Sequence, residues 1–160
     1  MTEQDLLARL DRLESLAAIE KLKARYCAGC DDDHNADTLE ALFVEDGIWE
    51  CEGMANAQNH AERRQFFTDL AASKRIRNSA HMVMNPNIEI DGDTATGHWR
   101  FIMAYTGNVG DGTTQFHRII GYYQDDFIRV DGTWYFKHLR PIVEESNSYD
   151  VIEDTIGTKF

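Results

Sequence analysis

Apolar residues between Leu6 and Tyr26 recur at Leu6, Leu10, Leu13, Leu16, Ala17, Ile19, Leu22 and Tyr26, at intervals of mostly three and four. That period lays them along one face of a long helix. A second helix is predicted from Asp37 as N-cap through TLEALFVE, with Glu40 completing a capping box. DGIWECEG reads as a short strand and AERRQFFTDLAAS as a third helix. Beyond Ser79 the period changes. AHMVMNPNIEIDG, TATGHWRFIMAYTG, TQFHRIIGYYQDDFIRVDG and TWYFKHLRPIVEE are four β-rich runs, separated by turn signals at Asp91-Gly92, Gly107 to Gly112 and Asp131-Gly132. Helices followed by a meander of long strands predict an α+β fold. The expected architecture is a cone-shaped α+β barrel, in which a curved antiparallel sheet wraps around N-terminal helices and encloses a pocket.

Length and charge narrow the function. A chain of 160 residues, 42% apolar and 11% aromatic, is one globular domain, expected to span residues 1–160. A formal net charge of −12 argues against nucleic acid as a partner and favours a small hydrophobic substrate over a polyanion. No apolar run reaches the ~20 residues of a membrane span, and MTEQDLLARLDRLE is charged throughout, unlike a signal peptide. A cytoplasmic protein without membrane attachment is therefore expected. A homodimer or homotrimer is also expected: Leu6, Leu10 and Leu13 could pack on a neighbouring subunit, although packing on their own domain is equally permitted.

The stretch RYCAGCDDDH, residues 25–34, concentrates the chemistry-bearing residue types. A redox dithiol needs a helix N-terminus to lower its thiol pKa, whereas Cys27 and Cys30 sit at the C-terminal end of a helix. Zinc needs four N/S ligands, and only Cys51 and scattered His remain to join these two. A calcium loop starting at Asp31 would need Gly and Glu where the chain has Ala36 and Leu42. No metal is expected. Asp32, Asp33 and His34 read as a solvated turn.

Asp31 differs, because it follows the apolar seam that Tyr26 continues. A carboxylate turned inward there requires a partner, and His81 in NSAHMVMNP, on the same strand face as Val83, can supply one. A His–Asp dyad thus competes with an ordinary core histidine. Strand alternation puts Trp99, Phe101, Met103 and Tyr105 on one face, His117 and Tyr123 together on the next strand, and Trp49 with Cys51 on the early strand. Aromatic and Met-rich walls with a few phenols suit an aromatic or polycyclic substrate carrying hydroxyl or carbonyl groups.

The order Tyr26…Asp31, then His81 in SAHMVMNPNIEID, then TATGHWRF, GYYQDDFIRVDGTWYF and LRP resembles the SnoaL-like branch of the nuclear-transport-factor-2-like fold over about residues 15 to 145. The pattern is most similar to the scytalone dehydratase and bile acid 7α-dehydratase groups. The resemblance implies that Asp31 orients His81, which removes a proton next to a carbonyl, and that Tyr26 matches a tyrosine of the bile acid enzymes. It also implies pocket roles for Tyr105 and Tyr123, and an approximate counterpart of a final-strand arginine in Arg140. Where relatives carry a tyrosine on the early strand, this chain has Cys51.

These residues permit a cofactor-free lyase, most simply a dehydratase in which a neutral imidazole acts as base, a carboxylate fixes its tautomer and a phenol donates to a carbonyl. The alternatives are an isomerase or polyketide-cyclase-type proton transfer, or a non-catalytic binding or oligomerisation module. The inward Asp–His pair speaks against the last.

Overall fold

A computed structural model describes residues 1–108 and 113–150. The segment 109–112 of the Gly107–Gly112 turn and residues 151–160 of the C-terminal tail lie outside the described residues.

The first helix, α1, runs Glu3–Asp31 behind a capping box formed by Thr2 and Asp5. Only its second half is covered, along Ser15, Ile19, Leu22, Lys23, Tyr26, Cys27 and Cys30. Leu6, Leu10 and Leu13 are about half exposed, so they do not pack on their own domain.

Helix α2 is shorter than expected, Ala36–Glu40, and its N-cap is Asn35, which accepts from the Thr38 N–H; Asp37 instead lies in its first turn. Glu40 closes no capping box because its carboxylate is turned into the core, where the Arg63 guanidinium grips it through Nε at 3.2 Å and Nη2 at 3.0 Å. Arg63 also donates to the carbonyls of Val44 and Gly47, which fastens α3 (His60–Ser73) to the first strand. Phe43 and Val44, expected to be helical, open that strand, β1 (Phe43–Cys51), which turns at Gly53 into the short β2 (Ala55–Ala57).

The meander follows as β3 (Arg77–Asp91), β4 (Thr94–Asn108) and β5 (Thr114–Val130). The last run divides at Arg140 into β6 (Thr133–Leu139) and β7 (Pro141–Asp150). Long β5 makes this possible, pairing β6 along 126–130 and β7 along 115–123. The strand order is β2-β1-β6-β5-β4-β3, with β7 against β5. The sheet is curved and mixed, not wholly antiparallel, because β1 runs parallel to β6. A helix and the entire meander separate those two strands, which is ample length for a parallel return. The sheet does not close: β2 and β3 are its two ends.

Within the cone, α1 is anchored by an ion pair. Lys23 Nζ lies 2.8 Å from Asp125 on β5, both side chains being essentially without solvent. The ammonium also sits 3.1 Å from the centroid of the Tyr123 ring. Burial lowers the Lys23 pKa and raises that of Asp125, each shift partly offset by the partner's charge. Asp125 further accepts from the Arg140 N–H.

Removing one member of such a pair strands a buried charge. Lys23→Met should therefore cost about 3–5 kcal/mol in urea unfolding, and Lys23→Met/Asp125→Asn should recover much of the loss. A loss in the double variant equal to the sum of the two single losses would show the two charges to be uncoupled.

Candidate active site

The site is built where the C-terminal end of α1 meets β3. Asp31, the last residue of α1, reaches sideways across the strand. Its carboxylate accepts the His81 backbone N–H at 3.0 and 3.2 Å and the Ser79 hydroxyl at 2.9 Å, and its Oδ1 lies 2.7 Å from His81 Nδ1. The register of β3 shifts between Arg77 and Ala80, with Asn78 at φ 48°, immediately ahead of His81.

The His81 side chain is 7% exposed and that of Asp31 is 30% exposed. Asp31 is thus a rim residue, not the inward carboxylate expected, since the helix ends at the mouth of the cone and its last side chain closes over the edge. Partial burial pushes the Asp31 carboxyl up. The hydrogen bonds from the His81 ring and backbone, with that of Ser79, outweigh this and hold it below the ordinary value of 3.8.

Behind His81 lies a cavity of about 310 Å³. Of the expected site residues, Tyr26, His81, Trp49, Cys51, Phe101, Met103, Tyr105 and Tyr123 line it. Four others do not. Asp31 stays at the rim. Trp99 is buried one layer deeper, edge-on to Phe127 at 5.8 Å, because the inward face of β4 continues into the core below the cavity floor. His117 stacks on the back of Tyr105, rings 4.6 Å apart at 9°. Arg140 sits at the β6–β7 junction, held to Asp126 at 2.9 Å and to the Gln124 carbonyl, and lines outer clefts instead.

The two inner phenols differ in their partners. The Tyr26 hydroxyl accepts from Trp49 Nε1 at 2.8 Å and interacts with the Cys30 thiol. The Tyr123 hydroxyl makes no hydrogen bond among the described residues and so is available to a ligand. Burial raises both phenols well above their ordinary pKa of 10.0, so each remains a proton donor at neutral pH.

Several lining residues were missed. Phe66, Phe67 and Leu70 come from α3, where helical spacing marks them as one face. His34, expected in solvent, is only 6% exposed and points into the cavity. The turn holds Asp33 and His34 at φ 50° and 55°, and the His34 N–H is tied to the Cys30 carbonyl. Burial, with the neighbouring His81, lowers the His34 pKa to about 4, so its ring is neutral at pH 7. Cys30, His34 and His81 thereby bring their ligand atoms within 4.8 Å of one another, a grouping that residue spacing alone does not reveal.

Asp31 has a depressed folded pKa, so its contribution to stability is complete above 3.8 and disappears as pH falls through the lower folded value. The stability gap between wild type and Asp31→Asn should therefore be constant at neutral pH and close in acid. A gap that widens in acid would contradict this assignment.

Residues 11–140 match the family model of the SnoaL-like domain. Solved structures share the fold. Hexachlorocyclohexane dehydrochlorinase LinA-type3 from Novosphingobium barchaimii LL02 is 24% identical with a TM-score of 0.77, over 90% of this chain and 96% of that one. A Novosphingobium aromaticivorans protein named after scytalone dehydratase is 22% identical with a TM-score of 0.74, over 89% and 92% of the two chains. A Mycobacterium tuberculosis protein of unknown function is 23% identical with a TM-score of 0.67, over 92% and 79%. At these identities the likeness is one of fold. No curated protein matches the chain in sequence. Among the described residues, no helix is long and apolar enough to cross a membrane.

Proposed function

The chain belongs to the SnoaL-like domain family, and within it we propose a cofactor-free lyase that eliminates water from a compact, hydrophobic, hydroxylated carbonyl compound. The observation carrying this reading is the 2.7 Å contact between Asp31 and His81 Nδ1, with the rest of the imidazole facing an apolar cavity. Two of the neighbours by fold are named for eliminations, one of hydrogen chloride and one of water.

Asp31 holds the proton on Nδ1, which leaves the Nε2 lone pair directed at the ligand. His81 takes a proton from the carbon beside the carbonyl. The C–H electron pair forms the new double bond as the C–O bond breaks, and the imidazolium returns the proton to the departing oxygen, so that water leaves from the same face. Tyr123 donates to the carbonyl oxygen where charge develops. Trp49, Phe101, Met103 and the α3 phenylalanines exclude water, which strengthens that hydrogen bond. A cavity near 310 Å³ lies at the small end of those that hold organic ligands, favouring one or two rings over a steroid-sized skeleton.

The test is a panel of aromatic and bicyclic β-hydroxy carbonyl compounds, followed by the absorbance of the conjugated product. His81→Gln should lower turnover by about 10²–10⁴-fold, the range for a lost general base, with an unchanged circular dichroism spectrum. Full activity in that variant would remove the proposal. Incorporation of solvent deuterium at carbon without loss of oxygen would replace elimination by isomerisation. Binding without any turnover across the panel would leave a ligand-binding module.

A further inference from the structure

We propose that Cys30, His34 and His81 form a binding site for a soft divalent cation, with Zn²⁺ as the best match, on the cavity wall where the end of α1 meets β3. Their ligand atoms lie within 4.8 Å of one another. A tetrahedral zinc site with bonds of about 2.0–2.3 Å brings ligand atoms somewhat closer than that. Side-chain rotations of about an ångström would complete the geometry.

The two histidines are prepared for the role, and the backbone holds the cysteine beside one of them. His81 commits Nδ1 to Asp31 at 2.7 Å and has Nε2 to offer, and a carboxylate behind a ligating imidazole is the arrangement metal sites use to fix ring and tautomer. The His34 ring is buried, meets the His81 ring edge-on at 6.1 Å and 76°, and makes no hydrogen bond among the described residues. Cys30 Sγ comes from the last turn of α1, and the backbone bond from His34 N–H to the Cys30 carbonyl holds those two ligands together. On binding, the thiol proton leaves to solvent and the sulfur coordinates as thiolate.

The three residues also line the cavity, so the fourth position of the metal faces the ligand space. That is the open coordination of a reactive zinc site, as opposed to the closed set of a structural one. The metal site does not rest on the elimination reading. It does compete with it, because both use the same lone pair on His81.

Metal-free, reduced full-length protein titrated with Co²⁺ should bind one equivalent, with an ultraviolet sulfur-to-cobalt charge-transfer band and the intense visible bands of four-coordinate cobalt, all bleached by Zn²⁺. Cys30→Ser should abolish the charge-transfer band. His34→Gln should weaken binding at least 10-fold, and Asp31→Asn by about 10-fold, the scale expected for the group that orients a ligand. Cys27→Ser, whose sulfur is not in the cluster, should bind as wild type. Absence of the band in wild type, its persistence in Cys30→Ser, or unchanged affinity in His34→Gln would each overturn the site. Should Cys30→Ser fail to fold, His34→Gln decides alone. The readout is spectroscopic, so it stands whether or not the protein turns over any substrate.

Discussion

The structure depends on one carboxylate. Asp31 ends a helix whose last turn contains no basic residue, where the macrodipole disfavours negative charge. It is held there by donors from a single strand: the His81 backbone, the His81 ring and Ser79. That contact pins the C-terminal end of α1 to β3, and with it the register of Tyr26, Cys30 and His34 against the cavity. It also sets the orientation of the imidazole, so fold and candidate chemistry share one anchor.

A second constraint works from below. The Lys23–Asp125 pair fixes the middle of α1 against β5 and puts a cation over the face of the Tyr123 ring. Between these two anchors lies a cavity whose walls are largely apolar and whose polar groups are few. Trp49 occupies the Tyr26 hydroxyl, while that of Tyr123 remains available. Because burial keeps both phenols protonated, they can donate but cannot act as bases at neutral pH. The imidazoles, with the exposed Glu52 carboxylate, are left as the basic groups lining the pocket.

Periodicity read well where one face of an element is buried and the other is not. The long helix, α3 and the alternation Trp99–Phe101–Met103–Tyr105 were all legible for that reason. Depth was not: strand alternation gives the face on which Trp99 lies but cannot say that it sits beneath the cavity floor. Reading α2 failed at Glu40 because a buried partner 23 residues away, Arg63, claims its carboxylate. Parallel pairing of β1 with β6 is likewise a long-range choice that leaves no local signal. His34 departs from its sequence context, since a polar residue after a helix normally turns outward. Here a left-handed backbone, tied back to the Cys30 carbonyl, swings it in.

The central claim is that Asp31 fixes the His81 ring with its proton on Nδ1 and a bare Nε2 facing the cavity. Nitrogen–proton correlation spectra of the imidazoles in the metal-free protein, at about pH 8 where histidines are ordinarily neutral, test it most directly. The account predicts a His81 Nδ1–H resonance far downfield, slow to exchange, and lost or relocated to Nε2 in Asp31→Asn. A His81 ring protonated on Nε2 in the wild type, or one whose tautomer ignores the loss of the carboxylate, would contradict it.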